Sequence, residues 1–110
     1  MQLNFRQYSA TGTPLIILHG LFGSLKNWNW QARKLADHFA VYSLDLRNHG
    51  ESPHAEEMSY PLMAKDVVQF LDQQSITRAR VLGHSMGGKT AMKFALEKPD
   101  QVASLISVDM

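Results

Sequence analysis

Three features are absent or scarce in this sequence of 110 residues: cysteine, net charge and long apolar runs. Without cysteine there is no disulfide, no thiol nucleophile and no thiolate metal ligand. The 11 basic and 10 acidic residues are scattered, so no charged surface for nucleic acid or an anionic membrane is expected. No apolar run approaches the ~20 residues that span a bilayer, and residues 1–12 do not resemble a signal peptide. We expect a soluble, cytoplasmic protein.

Short apolar segments alternate along the chain with longer segments of helical spacing. The first apolar segment alternates apolar and polar residues, as a half-buried edge strand does. The other four are continuous apolar runs, which are typical of strands buried on both faces. The predicted strands are residues 3–8, 14–20, 41–46, 79–83 and 104–109.

Three helices are predicted between these strands. Ser24 can cap the first, Ser59 precedes the second, and the third runs from about Met86 to Glu97 and stops before Pro99. Apolar residues at helical spacing define the buried faces of the first two: Trp28, Ala32, Leu35 and Phe39, then Met63, Val67, Phe70 and Leu71. The order of elements predicts the α/β class, with a mostly parallel sheet and helices on both faces.

The segment GHSMGGKT, from Gly83 to Thr90, fits two catalytic patterns. Gly-x-Ser-x-Gly centred on Ser85 is a nucleophile elbow, a strained turn that presents a serine. Gly-x-x-x-x-Gly-Lys-Thr ending at Thr90 is a P-loop, which cradles nucleotide phosphates. The later segment LISVD (105–109) also resembles the acidic strand end that holds magnesium in P-loop proteins.

The context of this segment favours the elbow. A P-loop normally follows the first core strand, whereas this segment follows the fourth predicted strand, and no nucleotide-base motif is evident. An elbow needs small residues two positions before and after its serine, and Gly83 and Gly87 satisfy this. The next helix begins at Met86, so the Met86 N–H can donate to an oxyanion beside Ser85.

A second oxyanion donor is expected from HGLFGS (19–24). Gly20 allows a sharp turn after the strand PLIIL, at the sheet edge where ligands bind in open α/β folds. Leu21 N–H is the predicted donor, and Phe22 N–H is the neighbouring candidate. Two such amides contribute several kcal/mol to acyl transfer.

The blocks HGLFGS, DLRNHGES (45–52) and VLGHSMGGKTAM (81–92), in this order, resemble the α/β-hydrolase superfamily, in particular small serine esterases of the YbfF type. The resemblance extends from Leu3 to Asp109. It implies that Ser85 is a nucleophile, that Lys89 and Thr90 match a P-loop by coincidence, and that the protein is a carboxylic ester hydrolase.

In this superfamily the catalytic triad follows the chain order Ser, Asp or Glu, then His. All five histidines precede Ser85: His19, His38, His49, His54 and His84. The triad histidine is therefore expected outside this chain. Residues 1–110 are expected to be the N-terminal part of one α/β-hydrolase domain, without its cap and last strands, and inactive alone.

The histidines that are present have other expected roles. His49 is the best alternative base, although its motif DLRNHG looks like a loop brace. His19 is expected to brace the oxyanion turn, His84 to leave the elbow in another direction, and His38 and His54 to lie on the surface.

Asp109 closes the last predicted strand, at the sheet edge where Ser85 also lies. The resemblance favours Asp109 as the triad acid, and the alternative is an aspartate that caps a loop. Asp45 and Arg47 are expected to form hydrogen bonds within their own loop.

The expected function is hydrolysis of short- to medium-chain acyl esters or thioesters through an acyl-enzyme. The expected partner is a small-molecule substrate, with no metal, organic cofactor, nucleic acid or membrane. Three alternatives stay open. The first is a non-catalytic α/β-hydrolase-fold module that binds or senses a ligand, and the second is a nucleotide-binding protein using the P-loop pattern from Gly83 to Thr90. The third is another reaction of the same fold, such as C–C bond cleavage or a lyase reaction, because such enzymes share these motifs.

Overall fold

The protein forms a five-stranded sheet in the computed structural model, which describes residues 1–108. The strand order is β1-β3-β2-β4-β5. Only β1 is antiparallel to its neighbour, and the other pairs are parallel, as expected. The strands are β1 (Phe5–Gln7), β2 (Thr13–Leu18), β3 (Phe39–Leu44), β4 (Ala79–His84) and β5 (Val102–Val108).

Three α-helices connect the parallel strands: α1 (Asn29–Leu35), α2 (Tyr60–Gln73) and α3 (Met86–Glu97). Ser59 caps α2 as predicted, because its hydroxyl accepts the Leu62 N–H at 3.3 Å. Ser24 caps a short 3-10 helix that precedes α1 rather than α1 itself. None of the helices in residues 1–108 has the length and apolar character that a membrane crossing requires.

Helices cover both faces of the sheet. Successive residues of a strand point to opposite faces. Ile16 and Leu18 of β2 therefore belong to the larger core beneath α2 and α3, whereas Leu15 and Ile17 pack with Ala32 of α1 on the other face. The α/β class predicted from the order of elements is confirmed.

Some element boundaries differ from those predicted. The placement of Phe39 on the buried face of the first helix is wrong, because α1 ends at Leu35 and Phe39 opens β3. β2 ends at Leu18, so His19 and Gly20 already belong to the following turn. The side chains of β1 are exposed rather than half-buried, since this strand lies at the edge of the sheet.

Candidate active site

The turn between β4 and α3 contains a single residue, Ser85. Its backbone has φ 53° and ψ −110°, a conformation that costs about 1–3 kcal/mol for a residue with a side chain. Ser85 N–H donates to Val108 O at 2.9 Å, and Ser85 C=O accepts from Lys89 N–H at 3.0 Å. The Ser85 side chain is exposed. The serine predicted from the elbow pattern thus occupies a strained and accessible turn.

Backbone packing leaves no room for a side chain at the positions two residues before and two residues after this serine. A Cβ atom on Gly83 would lie 2.3 Å from Gly87 O, and one on Gly87 would lie 2.2 Å from Leu18 O. Both distances are far below van der Waals contact, and both neighbours are main-chain atoms. The glycine spacing of the elbow pattern therefore has a direct steric cause.

The P-loop interpretation does not fit this geometry. β4 ends at His84 and α3 begins at Met86, so only one residue is left for a phosphate-binding loop. Such a loop needs a run of backbone N–H groups that surround the phosphates. Thr90 is fully buried and its hydroxyl donates to Met86 O at 3.0 Å, so it is not presented to a magnesium ion.

The turn after β2 carries the other candidate donors. Gly23 N–H donates to Gly20 O at 3.0 Å, which closes the turn. Phe22 N–H donates to Nε2 of His49 at 3.1 Å and is therefore already used. Within residues 1–108, no protein group accepts a hydrogen bond from Leu21 N–H or Met86 N–H. These two amides keep their donor capacity for a ligand.

An open cleft of about 440 Å³ brings the predicted residues together. Leu21, Ser85 and Met86 come from two separate motifs and all line this cleft. The other lining residues come from the segment before α2 and from α2 and α3: Met58, Ser59, Tyr60, Met63 and Lys89. The lining combines a nucleophile candidate with a largely apolar surface, as a site for an acyl group requires.

His19 and His49 form a buried pair against the turn after β2, with ring centroids 5.1 Å apart. Nε2 of His19 accepts the Leu46 N–H at 3.0 Å, so Nδ1 carries the proton and donates to Gly20 O at 2.7 Å. His49 is bound in the same way, with Nδ1 donating to Arg47 O at 2.9 Å. Both ring nitrogens of each histidine are engaged. The pair braces the loops, and His49 is not positioned to act as a base.

The other two expectations for histidines are met as well. His38 and His54 are exposed. His84 turns its ring towards Trp28, with centroids 5.9 Å apart, and its Nδ1 lies 2.9 Å from where a Cβ on Gly20 would be. His84 therefore leaves the elbow on the side of the oxyanion turn.

Burial lowers the pKa of His19 from its ordinary value of 6.5. The neutral ring is favoured in the folded state, so its contribution to stability is complete above pH 6.5 and is lost as the pH falls through the folded pKa. We expect the free energy of unfolding to decrease between pH 7.5 and pH 5.5, by at most about 1.4 kcal/mol per pH unit from this group. Denaturant unfolding at both values measures the decrease. It should shrink in His19→Gln and stay unchanged in His38→Gln, and an equal decrease in all three proteins would contradict the assignment.

Asp45 connects three segments near the site. Its carboxylate accepts hydrogen bonds from Leu25 N–H at 2.8 Å, Glu51 N–H at 3.0 Å and the Asn4 side-chain amide at 2.9 Å. The main-chain oxygen of Asp45 accepts from the Ser52 hydroxyl at 2.6 Å. The expected hydrogen bonding within the loop is present, and it extends to the N-terminal segment and to the 3-10 helix before α1.

Arg47 forms a buried, bidentate ion pair with Asp66 of α2, at 2.7 and 3.0 Å. Arg47 also donates to Glu57 O at 2.9 Å. The hydrogen bonds to Asp66 raise the pKa of the Arg47 guanidinium. Sequence reasoning missed Asp66, although a carboxylate next to Val67 on the predicted apolar face of a helix signals a buried partner.

In the described part of the chain, no group of three or more His, Cys, Asp and Glu side chains is arranged to hold a metal ion. Asp109, the predicted triad acid, lies outside the described residues.

The fold and the elbow turn identify the class of protein to which this chain belongs. Residues 13–110 match the family described as the alpha/beta hydrolase fold, so the chain belongs to this family. Within the matched residues, Ser85 is the single residue between β4 and α3.

Three similar proteins give the comparison more detail. The chain is 52% identical over 104 residues to the sn-1-specific diacylglycerol lipase ABHD11 of Xenopus laevis, covering 93% of this chain and 33% of that protein. It is 41% identical over 114 residues to Esterase YbfF of Escherichia coli, covering 100% of this chain and 45% of that protein. Among solved structures, a marine microorganism esterase superposes with a TM-score of 0.95 at 52% identity, covering 96% of this chain and 41% of that one. The chain thus spans less than half the length of these relatives.

Proposed function

We propose that this chain carries the nucleophile and the oxyanion hole of a serine esterase that acts on short- to medium-chain acyl esters or thioesters. One observation supports this above all: Ser85 occupies a strained, exposed turn in the same cleft as Leu21 and Met86, whose amides have no acceptor within residues 1–108. The diacylglycerol lipase and esterase relatives are in accord with an ester substrate.

The proposed reaction begins with attack of Ser85 Oγ on the acyl carbonyl while a base removes the hydroxyl proton. The carbonyl oxygen becomes an oxyanion that accepts hydrogen bonds from Leu21 N–H and Met86 N–H. The base then returns the proton to the leaving alcohol or thiol, which leaves an acyl-enzyme on Ser85. Water, deprotonated by the same base, attacks the acyl-enzyme; the bond between the acyl group and Ser85 Oγ breaks, the base returns the proton to Oγ, and the carboxylic acid is released.

The proposed base is a histidine outside residues 1–108, because the two buried histidines beside the site use both ring nitrogens in loop hydrogen bonds. We assign Asp109 the role of orienting that histidine. Residues 1–110 then form the N-terminal part of a single hydrolase domain, which we place in the cytoplasm.

Labelling with a fluorophosphonate tests this proposal, since the reagent reacts only with an activated serine. We expect the complete product of the gene to label at Ser85 and residues 1–110 alone not to label. Ser85→Ala should abolish labelling, whereas Ser59→Ala, which removes a second serine from the same cleft, should retain it.

Two results would contradict parts of the proposal. Labelling of residues 1–110 alone would mean that the base lies inside this chain, which contradicts the assignment of an external histidine. Absence of labelling in both proteins would instead favour a non-catalytic module that binds or senses a ligand in this cleft.

A further inference from the structure

Lys89 lines the cleft that contains Ser85, and its side chain is exposed. It lies four residues after Ser85, which corresponds to a rise of about 6 Å along a helix. The hydrogen bond from Lys89 N–H to Ser85 O, at 3.0 Å, ties the two backbones together. The Lys89 side chain therefore starts one helical turn from the proposed nucleophile, in the same cleft.

Among the described residues, no acidic side chain forms an ion pair with Lys89. Lys93, one turn further along α3, pairs with Glu97 at 3.4 Å. The other lining residues of the cleft are apolar or carry hydroxyl groups: Leu21, Met58, Ser59, Tyr60, Met63, Ser85 and Met86. Lys89 thus brings a positive charge into a mainly apolar cleft without an acidic partner in residues 1–108.

The position of this charge is unfavourable for the helix that carries it. Lys89 follows the first turn of α3, near the end of a helix where the backbone dipole is positive and cations are repelled. The first turn of α3 contains no acidic residue that would offset the repulsion. A lysine at this position therefore does not stabilise the helix. An anion bound in the cleft would stabilise the lysine, and this would account for its position.

We propose that Lys89 binds an anionic group of the substrate, so that the enzyme prefers acyl esters with a carboxylate or phosphate a few bonds from the scissile carbonyl. This inference rests on the proposed function. The buried side chains of Met63 and Met86 contact the hydrocarbon between the ester and the anion, and the Lys89 ammonium group takes the anion itself.

Two esters test the preference for an anionic substrate. 4-Nitrophenyl hydrogen adipate ends in a carboxylate, and its methyl ester has the same chain but ends in a neutral group. kcat/KM is measured for both with the complete gene product, at low and high salt, after subtraction of the rate seen with Ser85→Ala. We expect the ratio of anionic to neutral kcat/KM to fall about 3- to 10-fold in Lys89→Met. Salt should reduce the parental ratio, because ions screen an exposed charge.

Lys93→Met is the matched control, since it removes an equivalent lysine from the same helix outside the cleft, and it should keep the parental ratio. The melting temperature of Lys89→Met should equal or exceed that of the parent, because a charge repelled by the helix dipole is removed. A third ester that ends in phosphate determines which anion is preferred.

The outcomes separate the two proposals. A parental ratio in Lys89→Met shows that Lys89 does not bind the anion, while hydrolysis of the neutral ester through Ser85 leaves the proposed function intact. Failure of the parent to hydrolyse either ester, together with no labelling of Ser85, overturns the proposed function and this inference with it.

Discussion

Gly87→Ala is expected to lower the free energy of unfolding by about 3 kcal/mol or more. The added methyl group would lie 2.2 Å from Leu18 O and 2.5 Å from His19 O. Both atoms belong to the main chain at the end of β2, which pairs with β3 on one side and β4 on the other and so cannot move away. Alanine gains about 1 kcal/mol over glycine in a helix, which does not offset this overlap.

Gly88→Ala is the matched control, because it makes the same chemical change at the next residue of α3. Its methyl group would lie 2.6 Å from the Ser107 hydroxyl, which can rotate away, and 3.2 Å from Gly83 O, a much smaller overlap with the main chain than at Gly87. We expect a change within about 1 kcal/mol of the parent. Denaturant unfolding of the three proteins measures the difference. Equal losses in the two variants would mean that Gly87 is not held between the main chains as described.

Arg47→Met is expected to destabilise the protein by about 3–5 kcal/mol. Asp66 would be left in the core without its bidentate partner, and its side chain is only 3% exposed. The N-terminal ammonium group, 3.8 Å from Asp66, cannot replace two hydrogen bonds at 2.7 and 3.0 Å. Most of the cost comes from the buried charge that remains rather than from the loss of an attractive pair.

The double variant Arg47→Met with Asp66→Leu distinguishes these two contributions. Because it removes both charges, it should recover most of the lost stability and fall within about 1–2 kcal/mol of the parent, the remainder reflecting the lost bond to Glu57 O. The free energies of unfolding of the parent, both single variants and the double variant form a double-mutant cycle. A double variant as unstable as the sum of the single ones would show that the two residues act independently.

Most of the sheet could be predicted from the sequence, because strands buried on both faces leave continuous apolar runs. The ends of helices and strands could not be predicted where one apolar pattern continued from a helix into the next strand. Phe39 continues the helical spacing of Leu35, yet it opens β3. Periodicity records which positions are apolar, and it does not contain the hydrogen bonds that end α1 and start β3.

The part of the site around Ser85 could be predicted because it depends on neighbours in the chain. The motif itself specifies small residues two positions before and after the serine, and a helix that begins at the next residue. The contacts of Arg47 with Asp66 and of Phe22 with His49 join residues 19 and 27 positions apart. Nothing local in the sequence specifies such partners, so they emerged only from the three-dimensional arrangement.

The hydrogen bonds of Asp45 also hold the end of the turn after β2 in place. Leu25 N–H, at the start of the 3-10 helix before α1, and Glu51 N–H, in the loop after β3, bind the same buried carboxylate. If either segment moves away, the Asp45 carboxylate loses one of its hydrogen-bond donors, which costs about 1–3 kcal/mol. The 3-10 helix before α1 and the loop after β3 are therefore both held by a single carboxylate. The turn that carries Leu21 runs directly into Leu25, so the Asp45 carboxylate fixes the end of that turn during folding, and a substrate does not have to supply the entropy of arranging it.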